Sequence, residues 1–555
     1  MEVYKVIRDS VHGNIELDKS FVEYILDTPY FQRLRRIEQT SVRAIYPCAR
    51  HDRFTHSLGV YHVGTKIANH LRSQIEKIKP LDKTQIEIIT KSYLIACLLH
   101  DIAHAPFSHT FEPYYGERKA LYKTLCTCLG IQSLGLTRLQ YDNIKEHEYA
   151  SAMLVADKFK DDIQSPDRLG GNLELICRMI IGAHYSENTP YYQVCNCFID
   201  LLHGEVDADR LDYACRDIWS SGYKSVSIDI NRVIHAMQIK PYKGTYALCF
   251  NHNVVGDIRN IMELKRFQNS NIFNHHTIVY DQELLIQAAE TMAKEYAPAR
   301  TRTAKALSNI ICYEAVKGEK EIKNQAGSYT LRHLCDDDLF SLMKQSNNEY
   351  FKELTSRKYT RFALWKSPEE FFKLFPEIDK SINISNKKLK DEIAKALKPL
   401  KIAASHILAR EVKYKEIANL DNLLIVVHED VKPYSEICHK IFRDKSDNNE
   451  FVFTYVYLPK PKDLNTLDEI RKEAIEKIKP VIDDLFKLPP TEKNAIIQIQ
   501  DFLEEFGCKV DLLKPSFAIE DRKQMEEIIK LICKKPESHI VKATTELLTF
   551  IMSSY

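Results

Sequence analysis

The sequence predicts a mostly α-helical core over residues 1–375, followed by a smaller C-terminal α+β lobe over residues 376–555. Three observations carry this expectation. Apolar residues recur at helical spacing through most of the first two-thirds of the chain. Glycine is scarce, at 16 of 555 residues, which leaves few tight hairpins. Near residue 375 the composition turns charged and Lys-rich, and two β-rich runs follow.

The elements follow in chain order. After a short extended opening, FVEYILDTPYFQRLRRIEQ sets Phe21, Ile25, Phe31, Leu34 and Ile37 at broadly helical spacing, with Pro29 interrupting. Val63, Ile67, Leu71 and Ile75 recur every four residues, and Pro80 marks the stop. Asp82 to Gln85 reads as a capping box opening the next helix. That helix carries ITKSYLIACLLHDIAH to near Pro106 and is apolar nearly all round, so it should be central and buried. Residues 110–146 are less regular and read as a mobile insertion. Helical patterns resume in HEYASAMLVADKF, LELICRMIIGAH and FIDLLHGEVDADRLDYACRD, and as long helix from Asn251 to Lys294. SINISNKKLKDEIAKALKPLK suits a linker or an exposed helix. Leu423 to Val427 and Phe451 to Leu458 are expected strands, and the tail from about Thr466 is expected to be helical.

The totals describe a globular chain, with a 44% hydrophobic fraction and a 28% charged fraction. A net charge of +1 gives no support for bulk attraction to nucleic acid or membrane. No stretch is long and apolar enough to span a bilayer, and MEVYKVIRDSVHGNIEL lacks the apolar run of a signal peptide. None of the 14 cysteines forms a CxxC with a matching second pair. Cys126/Cys128 and Cys195/Cys197, spaced by two, read as reduced thiols. A cytoplasmic location is the expectation.

Chemistry gathers in four segments: HDRFTHSLGV, LLHDIAHAPFSH, KEHEYAS and DADRLDY. His100 and Asp101 follow Leu98 and Leu99 on a helix expected to be buried. Burying an ionised carboxylate is costly unless a charge compensates, and a divalent cation does so economically. His56, His100, Asp101 and Asp209 make a mixed imidazole–carboxylate set suited to one ion of Mn, Fe, Ni, Zn or Mg. Two aspartates neutralise a 2+ ion, leaving room for water and a phosphate oxygen. Taken singly, each residue has an ordinary reading: His56 as a core histidine, His104 as a helix-face neighbour of His100, Asp209 as a solvated carboxylate. His12, His51, His62, His70 and His203 are read as ordinary.

With their flanks, these segments resemble the HD-domain dNTP triphosphohydrolases, a family with an animal member that adds a sterile-alpha-motif domain. The resemblance runs from about Lys5 to about Trp365 through KVIRDSVHGNIEL, DTPYFQRLRRIEQ, RFTHSLGV, HDIAHAPFSH and DADRLDYACRD. It begins within the first few residues, so no sterile-alpha-motif domain is expected. It implies a mostly α-helical HD-domain fold, metal ligands at His56, His100, Asp101 and Asp209, and catalytic histidines at His104, His109 and His147. Glu112 stands where the family has an aspartate partner for a catalytic histidine. The implied reaction cleaves between the α-phosphate and the nucleoside, with His104 or His109 protonating the leaving 5′-oxygen. Its products are deoxynucleoside and inorganic triphosphate.

Further positions carry over residue by residue. Arg53, Arg210 and Arg266 match phosphate-contacting positions, and Gln39, Tyr213 and Asp217 match sugar- and phosphate-contacting ones. Asn274 replaces a tyrosine near the sugar, Thr40 replaces a leucine, and SVRAIYP replaces a glycine run. These departures open the substrate class to ribonucleotides and other phosphoesters. Lys5, Val6, Asp27, Gln32 and Arg35 match an activating guanine-nucleotide site, which would bring a homo-oligomer, dimer or tetramer, together around the nucleotide. Three functions stay open: a dNTP triphosphohydrolase, an HD phosphohydrolase of another nucleotide or nucleic-acid phosphoester, and a nucleotide-sensing interaction protein.

Overall fold

The computed structural model describes residues 3–485, apart from 117, 138–139, 142–143, 224–227, 325–326, 377–385, 415–419, 421 and 438–450. The protein is mostly helical, with several small sheets. It divides into two compact units that interleave along the chain. The first takes residues 1–359 and 417–443, the second 360–416 and 444–555. A single division near residue 375 gives way to this arrangement because the chain returns to the first unit to complete a sheet.

The first unit opens with an antiparallel hairpin of β1 (Lys5–Asp9) and β2 (Gly13–Leu17). Residues 19–36 form short π-, α- and 3-10-helical turns rather than one helix, broken before Pro29. Helix α1 (Arg53–Ile75) starts where the Asp52 carboxylate accepts the Thr55 N–H at 2.8 Å. Its Val63, Ile67, Leu71 and Ile75 are buried, as their spacing predicts. Helix α2 (Lys83–Leu99) begins at the expected Asp82–Gln85 capping box. Gly64 of α1 lets it approach α2 closely, since a Cβ there would lie 2.6 Å from the Cys97 sulfur.

Helix α2 ends at Leu99, short of the expected Pro106. Beyond it the backbone tightens into i→i+3 bonds, Ile102 N–H to Leu99 at 3.2 Å and His104 N–H to Asp101 at 3.0 Å. The buried Arg33 guanidinium claims the carbonyls of Ile102 and His104, which a continuing helix would have used. His104 is therefore no helix-face neighbour of His100.

The stretch expected as a mobile insertion contains α3 (Arg118–Leu129), which buries Leu121, Leu125 and Cys126. Helices α4 (Glu146–Lys158) and α5 (Leu173–Ile181) follow, then α6 (Pro190–His203) and α7 (Ala208–Ser221). The segment read as one helical run therefore splits between His203 and Ala208. Asp207 restarts it by capping the Arg210 N–H at 2.7 Å.

A hairpin of β3 (Met237–Tyr242) and β4 (Thr245–Asn251) precedes α8 (Val255–Phe267) and α9 (His276–Lys294). The helix expected from Asn251 to Lys294 is thus interrupted by a π-helical turn at Gln268–Phe273. A small hairpin of β5 (Glu319–Asn324) and β6 (Gly327–Arg332) leads into α10 (Asp336–Gln345).

In the second unit, β7 (Arg361–Ala363) pairs with β11 (Phe451–Pro459), which also pairs with β8 (Leu408–Tyr414). Helices α11 (Asn386–Ala396) and α12 (Leu467–Leu485) accompany this antiparallel sheet. Trp365 is its largest buried side chain, and the indole N–H donates to the Thr454 carbonyl at 2.9 Å. Strands β9 (Leu424–Val427) and β10 (Asp430–Pro433) belong to the first unit, in the order β10–β9–β4–β3. Both expected strand runs therefore form, but in different units. Of the expected helical tail, residues 486–555 lie outside the described residues.

Candidate metal centre

Three helix ends converge on the site. The first turn of α1 supplies Arg53 and His56, the C-terminus of α2 supplies His100 and Asp101, and the first turn of α7 supplies Asp209. His56 Nε2 lies 2.9 Å from Asp209 Oδ1 and 3.3 Å from His100 Nε2. Asp101 Oδ2 lies 3.6 Å from His56 Nε2 and 3.4 Å from His100 Nε2. His100 Nε2 is 3.8 Å from Asp209 Oδ1. All four expected ligands thus come together, and His56, His100 and Asp101 are nearly inaccessible.

The donor set fits a cation. His56 Nδ1 sits 2.8 Å from Asp212, a carboxylate that only accepts, so Nδ1 carries the proton. His100 Nδ1 faces the Cys97 carbonyl at 3.0 Å, and the same logic applies. Both neutral rings then aim Nε2 lone pairs at each other and at two carboxylates. Acceptors gathered this closely repel unless a positive charge lies among them. Arg53 provides one, ion-paired with Asp101.

The charges around each group set its proton affinity. Burial works against a charged His56, but Asp209 and Asp212 outweigh it and raise its pKa to about 10. Burial likewise opposes the Asp209 carboxylate, but His56 and His100 bring its pKa down to about 2. Asp101 is held well below the usual range because Arg53 and His100 overcome its burial.

A buried network supports His56 from behind. Asp212 also receives His12 Nε2 at 2.6 Å and Arg216 Nε and Nη2 at 2.9 Å each. Arg216 reaches on to Asp9 at 2.8 Å, and Asp9 accepts the N–H groups of Val11 and His12. Gly59, one turn along α1, leaves the space that the Asp212 carboxylate and the Arg216 guanidinium fill.

Beside this centre lie the three other expected histidines. His104 and His147 stack with ring centroids 4.3 Å apart, and His104 and His109 sit edge-on at 4.9 Å. Glu112 bridges two of them, accepting from His147 Nδ1 at 2.6 Å and from His109 Nδ1 at 2.9 Å. The longer Glu arm thus reaches both rings. His104 is buried, and neither ring nitrogen has a hydrogen-bond partner. Its burial, with Arg53 and His147 nearby, holds it well below the usual histidine range. Glu112 overcomes burial to raise His147 above the usual histidine range. The His109 side chain is 56% exposed and faces Arg53 Nη2 at 3.5 Å.

The remaining expected contacts are distributed as follows. Gln39 is buried, and its Oε1 has no hydrogen-bond partner. Arg210 pairs with Glu205 at 2.6 Å, and Asp217 holds His51 at 2.8 Å. Tyr213 lies within α7, one turn after Asp209. Asn274 is buried and donates to Asn269 Oδ1 at 3.1 Å. Arg266 is exposed on α8. Its neighbour Lys265 is the one that burial and Arg210 depress, to about 8.

In the expected nucleotide site, Lys5 meets Asp27 at 3.4 Å, and Arg35 Nε–H donates to Gln32 Oε1 at 2.9 Å. Val6 is exposed on β1, while the Arg35 guanidinium lies over the Phe54 ring.

Sequence reasoning missed His12, His51, Asp9, Asp212, Arg216 and Lys265. The i,i+4 spacing of Asp212 and Arg216 on α7 was a usable signal. His12 offered none, since its partner lies 200 residues away.

Residues 53–216 match the family model described as HD domain. Over 298 residues the chain is 27% identical to the deoxynucleoside triphosphate triphosphohydrolase SAMHD1 homolog of Dictyostelium discoideum, covering 53% of this chain and 50% of that protein. It is 27% identical to an uncharacterized protein of Mycoplasma genitalium over 270 residues, 48% of this chain and 55% of that one. The chain spans about half the length of the curated relatives it matches. In fold it resembles a phosphohydrolase from Bacteroides thetaiotaomicron, with a TM-score of 0.54 at 20% identity, covering 82% of this chain and 100% of that chain. Among the described residues, no helix is long and apolar enough to cross a membrane.

Proposed function

We propose that this HD-domain chain is a metal-dependent phosphohydrolase that converts deoxynucleoside triphosphates to deoxynucleoside and inorganic triphosphate. One observation carries the reading: a four-acceptor site built from His56, His100, Asp101 and Asp209 abuts three histidines, two of them held by one carboxylate. A divalent ion in such a site supplies Lewis acidity, lowering the pKa of water and offsetting phosphate charge.

The chain's own groups do the rest. Arg53, between Asp101 and His109, meets the phosphate, with Arg210, Arg266 and the nearby Lys265 adding positive charge for the chain of phosphates. Gln39, Tyr213, Asp217 and Asn274 line the sugar and adjoining phosphate. His104 is buried with both ring nitrogens unpartnered, whereas His109 is half exposed and held by Glu112, so His109 is the donor to the leaving 5′-oxygen, with the His147–Glu112 pair as proton reserve. In balance, water adds to the α-phosphorus, the P–O5′ bond breaks and O5′ takes a proton. Lys5, Val6, Asp27, Gln32 and Arg35 form the candidate activating-nucleotide site, with a homo-oligomer as the assembly that would use it.

A ribonucleotide substrate is the second reading. Thr40 Oγ1 and Gln39 Oε1 are buried without hydrogen-bond partners, and each could pair with a sugar hydroxyl.

The test is product identification. Purified chain with Mn²⁺ or Mg²⁺ and each dNTP and NTP should release nucleoside and triphosphate. Release of only mono- or diphosphate would refute the triphosphohydrolase reading, and preference for NTPs would select the second.

A further inference from the structure

We propose that Asp336, outside the matched HD region, is a positioning residue for the loop that carries His104 and His109. The catalytic part of this inference rests on the phosphohydrolase reading; its structural part does not.

The loop from Asp101 to His109 leaves helical geometry, and Phe107 and Ser108 both adopt left-handed backbone angles, φ 53° and 52°. Neither is glycine, so both occupy a region sparsely populated for residues with a Cβ. Such a conformation persists only where its surroundings over-determine it. Asp336 does so from α10. Its Oδ1 accepts the Phe107 N–H at 2.6 Å, and its Oδ2 accepts the Glu38 N–H at 2.9 Å. One carboxylate thus ties the histidine loop to the segment that precedes Gln39. Asp336 is only 7% exposed.

The position of Asp336 is itself fixed. Asp338 accepts the Cys335 N–H at 2.8 Å and closes the first turn of α10. Just before it, the Leu334 carbonyl accepts Arg33 Nε–H at 2.6 Å, while Arg33 Nη2 donates to the His104 carbonyl at 2.6 Å. The start of α10 therefore grips the loop twice, at His104 through Arg33 and at Phe107 directly.

The consequence reaches the site within two bonds. Ser108 Oγ donates to the Glu38 carbonyl and accepts Arg53 Nε–H at 3.0 Å. Arg53 in turn pairs with Asp101 and faces His109. Releasing Phe107 frees Ser108 to move, and with it the guanidinium that stands between the metal centre and the candidate proton donor. Asp336 touches none of the ligands, so its loss should leave ion binding intact while misaligning Arg53 and His109.

The test compares full-length Asp336→Asn and Asp336→Ala with the native chain. Hydrogen–deuterium exchange should accelerate in peptides covering 103–112 and 36–41 and stay unchanged in α1 and α2. Bound Mn²⁺ should stay within about twofold. With Mn²⁺ and a dNTP, kcat should fall about 10–100-fold while KM stays within about threefold, misplacement by an ångström being worth up to about 10² in rate. Alanine should cost more than asparagine, which keeps one acceptor. Unchanged exchange in the loop would overturn the proposal. So would faster exchange throughout the chain in both variants, since Asp336 would then hold the fold and not the loop. If the native chain turns over no nucleotide, the phosphohydrolase reading fails, and the exchange and Mn²⁺ measurements still decide this one.

Discussion

Replacing Asp212 with asparagine tests the support behind the proposed metal centre. Asp212 receives four donors: His12 Nε2 at 2.6 Å, His56 Nδ1 at 2.8 Å, and two Arg216 nitrogens at 2.9 Å each. Asparagine keeps one acceptor and gains an NH₂. In the Oδ1 position, that NH₂ opposes the donors His12 Nε2 and Arg216 Nη2. In the Oδ2 position, it opposes Arg216 Nε and asks His56 Nδ1 to accept, which drives the ring proton to Nε2, where a metal would bind. Either orientation costs, so the loss should fall near the upper end of the 10–100-fold range typical for such partners, about 2–3 kcal/mol. The fold should survive because Arg216 retains Asp9 at 2.8 Å and is not left buried without a counter-charge. The assay is calorimetric titration of metal-stripped chain with Mn²⁺, with circular dichroism confirming native helix content. An Asp212→Asn chain that is folded yet binds Mn²⁺ within about threefold of native would refute the reasoning.

Other outcomes follow from the same geometry. Asp101→Ala and Asp209→Ala should each abolish both stoichiometric Mn²⁺ binding, read by metal analysis, and nucleotide turnover; full binding in either would remove that residue from the ligand set. Gly59→Ala sets a helix-propensity gain of about 1 kcal/mol against overlap with Asp212 and Arg216, typically costing about 1–3 kcal/mol. The net should be a lower thermal midpoint and weaker Mn²⁺ binding, and a stabilised, normally binding variant would contradict the packing described. His56 has a folded pKa of about 10, above its ordinary 6.5. In metal-stripped chain its contribution is therefore fully present below pH 6.5 and is lost as pH rises toward 10. Mn²⁺ competes with that proton, so the thermal shift it produces should grow between about pH 6 and pH 9. A pH-independent shift would speak against proton–metal exchange at His56.

Of the proposed metal ligands, His100 and Asp101 were legible because charge stood where hydrophobicity forbade it, directly after Leu98–Leu99. The long helices were legible from periodicity, and the Asp82–Gln85 cap from local chemistry alone. Tertiary competition was not. Helix α2 stops at Leu99 because Arg33, far upstream, takes the carbonyls beyond it, and no local pattern announces that. His12 looked ordinary since its function is a contact across 200 residues. The β3–β4 hairpin did leave a mark in Lys243–Gly244, both at positive φ, a turn pair in a stretch for which no element was expected. Strand runs 423–427 and 451–458 were recognised from composition, yet composition says nothing about which sheet a strand joins.

Strand β9 joins β4 in parallel, through Phe250–Ile425 and Asn251–Val426, with 172 residues between the two strands. On the ribosome this imposes an order of events. The β3–β4 hairpin emerges early, with one edge of β4 unpaired, and waits for more than a hundred residues of further synthesis. Closing so long a loop is entropically slow, and an open strand edge in the meantime invites pairing with another nascent chain. A chain cut at residue 375 would keep that edge permanently. It should therefore be more prone to aggregate than the full chain, even though every proposed metal ligand lies well before the cut.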